Sequence, residues 1–167
     1  MENVEPVTQK FVTAMIERVK VDTACRAALR RADNTATESR AWEYILPFCR
    51  LEVPNERKAF CLIGAAIARA VPDHDGQMSV GSALRSLCDG NTEEALSTEL
   101  ARLRRLLACN TPSELPRLIR HVLRYLQTKD APVSYGQTLR DILYWNENTR
   151  IRWTKDFFKA RETDQKE

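Results

Sequence analysis

Only five glycines occur in 167 residues, and apolar residues recur at helical spacing with little strict alternation, so the chain has few ways to build anything but helices. Phe11, Val12, Met15, Ile16 and Val19 mark one face of a first helix expected over residues 6–20, with Pro6 in its first turn. Asp22 is suited to cap a second helix through "TACRAALRRA", ending near Asp33 and Asn34. "ESRAWEYILPF" predicts a third helix stopped by Pro47. Pro54 opens a long apolar helix, "NERKAFCLIGAAIARAV", closed by Pro72, and its low charge places it at the centre of the bundle.

The loop "PDHDGQM" separates the two halves of the chain. Ser79 then caps "VGSALRSLC", and Asn91 with Glu94 three residues on forms a capping signature for the next helix. Leu96, Leu100, Leu103 and Leu107 form that helix's expected buried stripe. In "NTPSELP", Ser113 is preferred as the following cap because Pro116 then falls in the first turn, where no N–H is needed. "SYGQTLRDILYW" and "TRIRWTKDFFKAR" complete the set. The expectation is an all-α protein, a single compact bundle of about nine helices. One domain is expected over residues 1–162, with a disordered tail at 163–167.

The net charge is only +3, but it is unevenly distributed. Residues 99–126 hold six arginines against two glutamates, a local +4 that leaves −1 for the rest of the chain. A concentrated basic patch is an electrostatic footprint for a polyanion. Arginine, at 19 against seven lysines, has the planar fork that suits phosphate. On a helical wheel, Arg117, Arg120 and Arg124 lie within roughly 60° of one another, opposite Leu115, Ile119, Val122 and Leu126. In the preceding helix Arg102, Arg104 and Arg105 fan over the face away from the leucines. Like charges at this spacing repel, and a merely solvated face usually intersperses glutamate. Arg30 and Arg31 end their helix, where the helix dipole favours cations whatever their role. Trp145 and Trp153, beside Ile151 and Phe157 at helical spacing, are expected in the core rather than stacked on bases.

Other chemistries find little in the chain. The five cysteines are odd in number, scattered and without a C-x-x-C, so reduced core thiols are expected rather than a disulfide framework or a zinc site. The phosphate-loop, dinucleotide-binding, zinc-protease and serine-elbow signatures do not occur. "DHD" at 73–75 is expected to be a solvated turn, not a metal site. No enzymatic activity, metal or other cofactor is expected. No apolar run is long enough to span a bilayer, and "MENVEP" is unlike a signal peptide, so the expected location is cytoplasmic, with no membrane partner. From the residues alone the arginine face fits two classes of partner: nucleic-acid backbone, or an acidic patch on another protein bound by a helical scaffold. A transcription regulator is a weaker reading, because no glycine turn joins two short helices in a helix-turn-helix pattern.

Four segments in order, "ALRRADNT…YILPF" (28–48), "MSVGSALRSL" (78–87), "LARLRRLLACNTPSELPRLIRHVLRYL" (100–126) and "LRDILYWNENTRIRWTKDFF" (139–158), together resemble the small subunit of the type I-E CRISPR surveillance complex Cascade, the CasB family. The last segment is the most specific. The family's second basic block carries an arginine pair before an aromatic. Here it reads Ala101-Arg102-Leu103-Arg104, with Arg104 or Arg105 as the substitute.

The resemblance implies a non-catalytic all-α subunit that contacts the backbone and large subunits of Cascade and a second copy of itself. It would help hold the guide RNA–target DNA heteroduplex and the displaced strand, stabilising the R-loop. Family basic positions carry over to Arg30 or Arg31, Arg120 and Arg150, and further to Arg57, Arg102 and Arg105. Arg117 and Arg124 come from the wheel alone.

Overall fold

A computed structural model describes residues 5–163. Among them are nine α-helices and one short 3-10 turn, with no sheet. The expected all-α class is what the chain adopts. The residues fall into two compact units: the chain up to Asp75 together with Tyr135–Leu143, and Gly76–Ser134 together with the chain from Tyr144 onward.

The first unit holds α1 (Val7–Val21), α2 (Thr23–Leu29), a 3-10 turn (Glu38–Ala41), α3 (Trp42–Ile45), α4 (Pro54–Ala70) and α8 (Tyr135–Leu143). Helix α4 is its centre, packing on α1, α2 and α8, with every residue from Ala59 to Ala68 buried. Pro54 starts it at a position that needs no donor, and Val71 ends it in the left-handed conformation (φ 45°), its N–H donating to the Ile67 carbonyl. Phe11 is fully buried and meets Phe60 and Phe48 edge-on at 4.9 and 5.3 Å, geometry that the aromatic quadrupole favours. Burying such a ring contributes about 2–3 kcal/mol.

Asp22 caps α2 as expected, accepting from the Cys25 N–H at 2.9 Å. Pro6 is the N-cap of α1 rather than a first-turn residue. The predicted third helix is shorter and tighter than its apolar pattern suggests, a 3-10 turn running into four residues of α-helix that end before Pro47. The expected solvated turn at 73–75 also starts a helix, because the Asp75 carboxylate accepts from the Tyr135 and Gly136 N–H groups at 2.7 and 3.1 Å and so caps α8.

The second unit holds α5 (Val80–Ser86), α6 (Glu93–Leu107), α7 (Leu115–Thr128) and α9 (Glu147–Thr163). Ser79 caps α5 as expected, accepting from the Ser82 N–H at 3.2 Å and donating to Asp156 of α9 at 2.8 Å. Helices α5 and α9 approach so closely that a methyl group on Gly81 would overlap the Trp153 carbonyl. Trp153 and Phe157 are fully buried and Trp145 nearly so, which puts both tryptophans of this unit in its core, as expected. A single parallel bridge pairs Met78 with Val133.

All five cysteines are free, and four of them are buried. Burial pushes the Cys25 and Cys49 thiols up to about 11 and Cys61 up to about 12, so they stay protonated at neutral pH. No helix among the described residues is long and apolar enough to cross a membrane. The predicted tail at 163–167 lies, beyond Thr163, outside the described residues.

Candidate nucleic-acid interface

Helix α6 is capped by Thr92, not Asn91, because the Thr92 hydroxyl accepts from the Ala95 N–H at 3.2 Å. Glu93 and Glu94 in its first turn and Arg104 and Arg105 in its last both suit the helix dipole. Its buried stripe is Leu96, Glu99, Leu103 and Leu106, whereas Leu100 and Leu107 are only half-buried. Glu99 can occupy a core position because Tyr125 of α7 donates its hydroxyl to the carboxylate at 2.6 Å. That hydrogen bond raises the tyrosine's pKa. Arg102 lies over the Tyr125 ring, 3.8 Å from its centroid, with its Nε 3.7 Å from Glu99.

Helix α7 has no side-chain cap. Glu114 stands at its N-cap and Pro116 in its first turn, so Ser113 falls short of the expected capping role and instead donates its hydroxyl to Thr111 at 3.4 Å. Leu115, Ile119, Val122, Leu123 and Leu126 are buried, as the wheel predicted but for the addition of Leu123. Arg117 and Arg124 are exposed, and Arg120 is half-buried. No aspartate or glutamate occurs within α7. Arg117 sits in the first turn, the end of a helix where its dipole disfavours a cation. Helix propensity permits an arginine there, but neither capping nor the dipole explains it.

The predicted basic residues therefore divide by what their guanidinium groups already hold. Arg104 and Arg105 on α6 and Arg117 on α7 are exposed, within one unit. Arg102 is engaged by Tyr125 and Glu99. Arg150, on α9 of the same unit, donates to the Leu107 carbonyl at 3.2 Å and to the Asn110 side chain at 3.0 Å. In the other unit Arg30 and Arg31 are exposed just after α2, and the Arg30 carbonyl accepts from Arg69, which also pairs with Asp33 at 2.6 Å. Arg57 points inward: it pairs with the buried Glu38 at 3.0 Å, donates to the Leu51 carbonyl at 2.7 Å and lies over the Trp42 ring.

Two residues beyond the carried-over family positions share the exposed surface. Arg104, which the wheel put on the α6 arginine face and the family pattern offered as a substitute, is exposed there. His121 is exposed on α7, four residues after Arg117 and three before Arg124. The same wheel that groups the arginines would have found it. Among the described residues no cluster of three or more histidine, cysteine or acidic side chains is arranged to hold a metal ion.

Fold and surface together define an all-α protein that turns leucine inward and arginine outward on two successive helices. The chain belongs to the CRISPR-associated protein Cse2 family, whose model matches residues 25–158. The resemblance to CasB small subunits seen in the sequence is thereby borne out. Among solved structures the chain is similar to CasB from Thermus thermophilus (21% identity, TM-score 0.72, covering 93% of this chain and 99% of that one). It is also similar to a chain of a CRISPR RNA-guided surveillance complex (20%, 0.77, 96% of each). CasB from Thermobifida fusca shares 18% identity at a TM-score of 0.62, over 90% of this chain and 94% of that one. No curated protein matches the sequence.

Proposed function

We propose that this chain is a non-catalytic subunit of a CRISPR RNA-guided surveillance complex whose α6–α7 arginine surface holds nucleic-acid backbone. The observation that carries this reading is the α7 face: Arg117, Arg120 and Arg124 with no acid interspersed, and Arg117 set against its own helix dipole. Contacts of this kind go to phosphate and are blind to base identity, which suits a complex whose guide RNA supplies the sequence. Exchanging a DNA duplex for an RNA–DNA heteroduplex is nearly balanced, so a few phosphate contacts are enough to tip it. The subunit would thus favour the guide–target heteroduplex and the displaced strand while docked on the other Cascade subunits and a second copy of itself. A handful of arginines binds weakly alone and acts chiefly through tethering.

The test is charge reversal of Arg117, Arg120 and Arg124 together in the reconstituted complex. Assembly should persist while R-loop formation weakens. The slope of log affinity against log salt should become shallower by about 3, near one per lost phosphate contact. Unchanged target binding by the assembled complex refutes the phosphate track. Failure of assembly itself favours the other reading, in which the same arginines meet an acidic protein partner.

A further inference from the structure

Arg150 is on the wrong end of its own helix. Asn146 caps α9, accepting from the Thr149 N–H at 3.0 Å, so Arg150 completes the first turn, where the α9 dipole disfavours a cation. A different helix compensates it. Leu107 is the last residue of α6, and its carbonyl is one of those that a helix C-terminus leaves without an internal partner. Arg150 Nη1 donates to that carbonyl at 3.2 Å and to Asn110 Oδ1 at 3.0 Å. Just before α9, the buried Trp145 donates its indole N–H to the Cys109 carbonyl at 2.9 Å. The elbow between α6 and α7 is therefore pinned at Leu107, Cys109 and Asn110 by two side chains of one short segment. Arg104 and Arg105 lie in the turn of α6 that this anchor finishes.

We infer that Arg150 is a positioning residue for the phosphate track: it fixes the last turn of α6 so that Arg104 and Arg105 are presented at a set distance from the arginines of α7. This rests on the function proposed above and changes one residue's part in it, because Arg150 then acts through the elbow and not by meeting a phosphate. Both bonds leave from Nη1, at the far end of a rigid planar group whose placement the flexible, more strongly hydrated ammonium of lysine does not reproduce.

The experiment uses the full chain in the reconstituted complex, with a labelled target duplex titrated over a range of salt. Arg150→Ala and Arg150→Lys should each weaken target binding about tenfold, and the neutral change Asn110→Ala should weaken it in the same direction. In an Arg104→Ala/Arg105→Ala background, Arg150→Ala should add nothing. A phosphate ligand behaves otherwise: Arg150→Lys stays near wild type, and Arg150→Ala costs the same in both backgrounds with a salt slope lower by about 1. That result overturns the inference, as does a lowered melting temperature with target affinity of the folded complex unchanged. Loss on Arg150→Ala with none on Arg104→Ala/Arg105→Ala also overturns it, while leaving the α7 track standing. Loss on none of these variants, together with a silent α7 charge reversal, overturns the phosphate-track reading itself.

Discussion

Replacing Arg57 by methionine separates a residue that holds the fold from one that holds nucleic acid. Arg57 makes a charge-assisted bond to Glu38 at 3.0 Å, a second to the Leu51 carbonyl at 2.7 Å, and a cation–π contact with Trp42 at 5.6 Å. The two hydrogen bonds are worth roughly 1.5–2 kcal/mol each at this partial burial, and the ring contact about 0.5 kcal/mol. Methionine keeps much of the stem's apolar packing, so the net loss expected is about 3 kcal/mol. About half of it arises because Glu38, only 8% exposed, is left as a buried charge without its partner. For a chain of this length the melting temperature should fall by about 6–12 °C. Amide exchange in α4 should report the same loss locally. Adding Glu38→Gln to Arg57→Met should recover about 1.5 kcal/mol, since the stranded charge is gone. Target binding by the folded protein should not change. A variant that melts as the wild type does but binds nucleic acid less tightly refutes the reasoning and makes Arg57 a phosphate ligand after all.

Two further outcomes follow from packing and burial. Gly81→Ala should cost about 3 kcal/mol by urea unfolding, because the added methyl meets the Trp153 backbone and not a side chain that can turn aside. The buried thiols predict the alkaline limit of stability. Cys61 stays protonated in the fold up to about 12 against an ordinary 9, so its contribution is complete below pH 9 and is lost as pH rises through 12. Cys61→Ala should therefore unfold less steeply between about pH 9 and 12 than the wild type in a pH-jump titration, whatever it loses at neutral pH.

How much of this was legible in the sequence depended on the range of the interaction. Pro54, Asp22 and Ser79 act within their own turns, and each does what its position suggests. Where two local choices were nearly equal, the neighbour won: Thr92 over Asn91 at α6, and no side-chain cap at all where Ser113 was expected at α7. The buried stripe of α6 passes through Glu99 and Leu106 instead of Leu100 and Leu107, because Tyr125, 26 residues on, supplies the proton that lets a carboxylate stay buried. The same limit governs the basic residues. Exposure of Arg117 and Arg124 follows from a wheel, but the partners of Arg57 and Arg150 lie 19 and about 40 residues away, and no periodicity announces them.

Helix α8 belongs to the first unit although the chain on either side of it belongs to the second. Its buried residues, among them Leu139 and Ile142, pack on α1 and α4, and its first turn is capped by Asp75. On the ribosome, then, the N-terminal unit waits. All of its other helices have been made by Asp75, yet its core stays open to water until Leu143 has left the exit tunnel. By that time α5, α6 and α7 have also been made, but the second unit still lacks Trp153 and Phe157 of α9, so neither unit closes its core until the C-terminal part of the chain has emerged.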